Sequence, residues 1–204
     1  MTVLDAKITS LSGESITLDR TIFYAASGGQ ESDAGTIGGI PVLSADKDGT
    51  EIFYTLQKPL AFRIGDTVSV RIDWERRYRL MRLHFAAEII LELVYQRFNR
   101  PTKIGANISS DKARIDFFWE GRISDAFPVL EAEAEKIIER DVPIRSGFSD
   151  PDLEQRFWEI DGFAKVSCGG THLKRTGEIG SIRLKRNNIG HGKERIEIFL
   201  VDSL

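Results

Sequence analysis

The chain is predicted to be α+β, with a small β-barrel-like domain over residues 1–73 followed by an α+β domain over 74–204. Three observations carry this. Short alternating strands separated by Gly- and Asp-rich turns fill the first 73 residues, as in small barrels. A long segment of helical periodicity follows from about Trp74 to Phe98. Beyond it, hairpins and a second helix alternate, which places helices on one face of an antiparallel sheet.

In the first domain, Ala6–Thr9 and Ser15–Leu18 alternate about a turn at Ser12-Gly13-Glu14. Gly35–Leu43 and Glu51–Leu56 flank the turn Asp46–Gly49, and Gly65–Asp73 is a further strand. Ala26-Ser27-Gly28-Gly29-Gln30 breaks the strand pattern. It reads as a turn, or as a place where Gly28 and Gly29 permit close backbone approach beside the two-way hydrogen-bonding amide of Gln30. Asp73 is the expected N-cap of the long helix. Its buried stripe is Leu80, Leu83, Ala87, Ile90, Leu91, Val94 and Phe98, with His84 and Glu88 at the stripe's edge, and Pro101 stops it. Residues 103–119 read as a hairpin. Ser124-Asp125 opens a second helix to about Arg140, with Pro128 in its first turn and a solvated acidic face of Glu131, Glu133, Glu135 and Glu139. The stretch around Ser149-Asp150-Pro151-Asp152 is predicted to be an unstructured connection. Strands Ser181–Lys185 and Arg195–Leu200 end the chain, joined by a flexible basic loop at 187–193.

Composition narrows the function classes. The chain has 204 residues, 41% hydrophobic and 29% charged, which is ordinary for a soluble globular protein. No apolar run approaches the ~20 residues of a membrane span, and a lone cysteine cannot form an internal disulfide. A cytoplasmic setting with no membrane partner is the expectation, as monomer or dimer. The net charge of −3 argues against a general nucleic-acid-coating protein. Between Lys174 and Arg195, however, seven cations face only Glu178 and Glu194, an excess of five. This fits either a solvated strand face or a local contact with phosphates.

The chemistry-bearing residues are few. Cys168 and His172 stand four apart across Gly169 and Gly170, which let the backbone turn so that both side chains face one point. His84 and Glu88 lie one helical turn apart on a shared face. All four are zinc-ligand types. Solvated pairs and hydrogen-bonded core histidines produce the same spacings.

Taken with Thr176–Gly180, Phe23–Gln30, the Ser109–Phe117 stretch and Lys193-x-Arg195-Ile196, these motifs resemble the editing domain of alanyl-tRNA synthetases, most closely its free-standing (AlaX-type) editing proteins. The family pattern is His-x3-His on a helix, then Cys-x3-His; here Glu88 stands at the second position. The resemblance implies a metal site of His84, Glu88, Cys168 and His172 holding Zn2+. It implies Glu88 and Gln30 as candidate catalytic residues, and Gly28, Gly29, Gln30, Lys193 and Arg195 on the substrate side. The implied reaction is zinc-assisted hydrolysis, in trans, of the aminoacyl ester of mischarged tRNA(Ala), seryl or glycyl, bound by its acceptor end. Phe85 follows the first ligand where the family commonly has a hydroxyl residue. The second reading is a non-catalytic tRNA-binding module that has lost the metal, and the third a zinc-stabilised structural protein. With neither an activation domain nor a Walker-type phosphate loop, the chain is not expected to be a complete synthetase.

Overall fold

A computed structural model describes residues 2–57, 61–150 and 155–201. The chain divides into two compact units, Met1–Arg79 and Leu80–Leu204.

The first unit is a closed six-stranded antiparallel barrel of β1 (Val3–Ser12), β2 (Ser15–Leu18), β3 (Gly35–Ile37), β4 (Ile40–Asp48), β5 (Glu51–Leu56) and β6 (Thr67–Ile72), in the order β1-β2-β5-β4-β3-β6. Closure comes from β1 pairing β6 over Val3–Lys7. Alternation along the strands turns Ala6, Ile8, Ile16, Ile37, Tyr54, Leu56, Val68 and Val70 into the interior. The single strand expected over Gly35–Leu43 is two strands. Gly38 and Gly39 both adopt positive φ (59° and 80°), the conformation of a two-residue hairpin turn.

Helix α1 (Trp74–Arg97) starts as expected, with Asp73 Oδ1 accepting the Arg76 N–H at 3.1 Å. Its first turn is bound within this unit by an ion pair. Arg77 Nε donates to Asp33 Oδ1 at 2.6 Å and its Nη2 to Asp33 Oδ2 and to the Ile22 carbonyl. Asp33 also accepts the Tyr24 N–H, and its side chain is fully buried.

The second unit holds the rest of α1, a four-stranded antiparallel sheet and a separate three-stranded one. The larger sheet runs β12 (Ile182–Gly190), β13 (Lys193–Leu200), β8 (Ala113–Phe118), β7 (Lys103–Ile108). The smaller comprises β9 (Arg145–Asp150), β10 (Gln155–Ile160) and β11 (Ala164–Ser167), with β10 central. A 3₁₀ turn at Ile123–Ala126 leads into α2 (Phe127–Glu139), with Pro128 in its first turn. α2 packs on β12, where Glu131 accepts the Leu184 N–H at 2.8 Å, and Glu133 pairs with Arg97. Part of the expected acidic face is thus spoken for.

Three further expectations are corrected. Ser149 and Asp150 end strand β9 instead of opening an unstructured connection; Pro151 and Asp152 lie outside the described residues. Glycine and serine in Arg145–Asp150 hide a strand that gets its pairing from β10. The basic loop at 187–193 is mostly strand, because β12 and β13 pair out to Gly190 and Lys193 around a turn at His191-Gly192. The central part of α1 is buried on all sides: Phe85, Ala86, Ile89 and Leu93 join the expected stripe, and His84 is 5% exposed. No helix among the described residues is long and apolar enough to cross a membrane.

Asp33→Ala would leave Arg77, whose side chain is 14% exposed, without its counter-charge. A loss of about 3–5 kcal/mol is expected in urea unfolding; a loss below about 1 kcal/mol would show the pair to be dispensable.

Candidate metal centre

Two segments bring the candidate donors together. One is the middle of α1. The other is the chain leaving β11, whose pairing with β10 continues through the Cys168 N–H to the Arg156 carbonyl at 2.9 Å. The return of this second segment is fixed by Thr176–Ile179, a 3₁₀ turn. Glu178 Oε1 accepts the N–H groups of Lys174 and Arg175, and the Thr176 hydroxyl donates to the Ile137 carbonyl. Arg82, on α1, donates to the Ile179 carbonyl at 2.9 Å. The Thr-Gly-Glu-Ile-Gly motif therefore anchors the loop that carries His172.

His84, Cys168 and His172 each offer a ligand atom, all within 4.8 Å of one another. Cys168 Sγ lies 3.3 Å from His84 Nε2. The His84 and His172 rings meet edge-on, centroids 5.6 Å apart. His172 Nδ1 is 3.3 Å from the Ser146 hydroxyl, whereas the buried Nε2 has no hydrogen-bond partner. With Nδ1–H donated to Ser146, Nε2 carries a free lone pair, which suits a metal ligand. Two imidazoles and one thiolate match the donor chemistry of zinc. An orphaned buried nitrogen is otherwise costly, so these residues fit the ion.

Glu88 stands beside this trio and outside it. Its Oε1 is 3.4 Å from His84 Nε2 and 3.8 Å from Cys168 Sγ. Its Oε2 accepts the indole N–H of Trp158 at 2.9 Å. Trp158 is fully buried and packs edge-on against Phe85, which also meets the His172 ring.

Gly170 acts through the absence of a side chain. A Cβ there would sit 1.7 Å from His84 Cε1. Neither Gly169 nor Gly170 is among the positive-φ glycines, so the expected sharp turn is not what fixes them. Trp158, Ser146 and Gly170's packing role were not read from the sequence. Alternation in Arg156–Ile160 was the available signal for Trp158; nothing local marks Ser146.

In the first unit, Gly28 (φ 58°) and Gly29 (φ 86°) form a tight turn closed by hydrogen bonds between Ser27 and Gln30, and Gln30 is 3% exposed. Arg195 is gripped by Asp116 through two hydrogen bonds of 2.6 and 2.9 Å. Lys193 is exposed, its Nζ 5.7 Å from the Phe118 ring centroid.

Burial opposes charge on His84, but hydrogen bonds and negative charge from Cys168 and Glu88 outweigh it and raise the imidazole to about 9. Burial, then the charges of His84 and Arg156, push His172 down to about 4. Burial also opposes ionisation of Glu88, yet His84 and the Trp158 N–H hold its carboxyl below the usual range. In the metal-free protein, then, His84 keeps a proton and His172 does not. His84 contributes stability that is present below its ordinary 6.5 and lost as pH rises through about 9. His172 contributes stability present above 6.5 and lost as pH falls through about 4, and Glu88 loses its share on the same acid side. The urea midpoint of metal-free protein is expected to peak near pH 6–7 and decline on both sides. A midpoint rising steadily to pH 9 would contradict this proton arrangement.

The profile described as the threonyl and alanyl tRNA synthetase second additional domain matches residues 156–197, from β10 through most of β13. The chain is 31% identical over 198 residues to the alanyl-tRNA editing protein AlaX-M of Pyrococcus horikoshii, covering 95% of this chain and 90% of that protein. It is 32% identical over 219 residues to AlaX-M of Methanosarcina acetivorans, covering 92% and 89%. Similarity extends to an alanine–tRNA ligase of Methanococcus maripaludis, 33% over 214 residues, where 95% of this chain aligns with 24% of the ligase. The chain belongs to the AlaX-M family of alanyl-tRNA editing proteins.

Proposed function

We propose that this protein acts in the cytoplasm as a deacylase in trans, hydrolysing the ester that joins serine or glycine to the terminal adenosine of mischarged tRNA(Ala). The observation that carries the reading is the convergence of His84, Cys168 and His172, with the buried Nε2 of His172 lacking a partner. In this reading the three residues hold zinc, leaving a position open as in catalytic rather than structural sites. Zinc bound there supplies Lewis acidity toward the ester carbonyl.

Glu88 is the assigned base. Its carboxyl is held in the ionised form by His84 and Trp158. Oε1 can accept a proton from the attacking water while Oε2 stays fixed to the indole. In this reading His172 donates its Nδ1–H to the Ser146 hydroxyl, which frees Nε2 for the metal. Gly28, Gly29 and Gln30 are assigned to the substrate: a Cβ at Gly28 would meet nothing within 4 Å, so its backbone is open to close approach, and the buried Gln30 closes the turn that presents it. A separate editing site is physically needed, because a synthetic pocket for alanine cannot strongly exclude a smaller side chain or one extra hydroxyl.

The test is deacylation of seryl- and glycyl-tRNA(Ala) by zinc-loaded protein, alongside Glu88→Gln. The variant is expected to keep its zinc and lose about 10²–10⁴-fold in rate. Loss of zinc in Glu88→Gln would make Glu88 a ligand. Wild-type protein that binds tRNA(Ala) and zinc without hydrolysing either ester would favour the non-catalytic module.

A further inference from the structure

The basic segment of the second unit is less free than its charge count suggests. Arg175 pairs with Asp141, Arg186 with Glu194, and Arg195 with Asp116. Two cations of β12, Arg183 and Lys185, are exposed and have no carboxylate partner among the described residues. The register places them on one face of the four-stranded sheet. Arg183 lies opposite Phe199 and Lys185 opposite Glu197 on β13, and Glu197 lies opposite Arg114 on β8. The other face buries Ile196, Ile198 and Leu200.

On the open face, Arg183, Lys185 and Lys112 surround the half-buried Phe199 ring, each 5.8–5.9 Å from its centroid. Among the described residues of these strands, two anions share the face. Asp116 is engaged by Arg114 and Arg195, and Glu197 by Lys112. This leaves Arg183 and Lys185 about 6.7 Å apart along the strand, on a stiff scaffold. An aromatic ring beside three cations attracts each of them, and the exposed charges of Arg183 and Lys185 stay available to phosphate oxygens.

We infer that this sheet face, through Arg183 and Lys185 over Phe199, is a docking surface for the phosphate backbone of the double-helical part of the tRNA substrate. The inference rests on the deacylase reading for the identity of the RNA. Recognition is of shape and charge, without base readout, as is usual for A-form duplexes. The contacts to the reacting aminoacyl end belong to other residues. Lys193 and Arg195 remain proposed substrate contacts, with Arg195 already paired to Asp116 and Lys193 exposed beside Phe118.

The experiment measures binding of uncharged tRNA(Ala) to zinc-loaded protein across a salt series. It compares wild type, Arg183→Ala/Lys185→Ala, the charge-keeping Arg183→Lys/Lys185→Arg, and the control Lys136→Ala/Arg140→Ala at exposed positions in the last turn and C-cap of α2. The double alanine variant is expected to lose about tenfold or more in affinity and to flatten the salt slope by about two, one per phosphate contact. The charge-keeping pair and the α2 control should stay within about twofold of wild type. A second arm follows deacylation of seryl-CCA trinucleotide, which lacks the duplex; the double alanine variant should match wild type there. An unchanged salt slope, an equal loss in the α2 control, or no tRNA binding by wild type would each overturn the surface. A slope that depends on Arg183 and Lys185, with no deacylation of either substrate, would keep the surface and overturn the hydrolase reading.

Discussion

The second unit is built around a contact that only glycine allows. The backbone at Gly170 lies so close to the His84 ring that a single added carbon would overlap it. That approach brings both Cys168 and His172 up to the ring, although His84 comes from a helix more than 80 residues earlier in the chain. Several otherwise unrelated features serve it. Strand β11 delivers Cys168, the Thr176–Ile179 turn returns the chain, and Arg82 ties that turn back to α1. The helix is buried all round at this point, which is why a histidine there needs polar partners.

The same crowding sets the electrostatics. Two imidazoles, a thiol and a carboxylate share a small, partly dry volume, and they divide the charge unequally. His84 takes the proton that His172 gives up, and Glu88 stays ionised between His84 and the Trp158 indole. A metal ion bound to the trio would replace that proton, since both imidazoles must then be neutral. The unpartnered nitrogen of His172 is the mark this arrangement leaves on the metal-free chain.

Much of this was legible in the sequence, and the exceptions share a cause. Strands with clean alternation, such as Thr67–Ile72, and the capped helix after Asp73 follow from local pattern. The ligand types at 84, 88, 168 and 172 were visible because the chain has only one cysteine and three histidines. What escaped depends on partners far along the chain. Strand β9 is poor in strand formers and exists through pairing with β10. Trp158 gains its role only when its indole reaches Glu88 on α1, and Ser146 only when β9 lies beside His172. Arg195 looked like a free cation because nothing near it in sequence announces Asp116, 79 residues away. The Gly169-Gly170 pair suggested a turn, whereas the constraint is steric and comes from His84.

The central claim is that a single metal ion is held by His84, Cys168 and His172 across this glycine contact. Its most direct measurement is zinc content per chain, after loading and exhaustive dialysis, for wild type, Cys168→Ala and Gly170→Ala. The account predicts close to one zinc per chain in wild type, with little or none in either variant, while circular dichroism shows both still folded. Full zinc occupancy in Cys168→Ala, or in a folded Gly170→Ala, would contradict it.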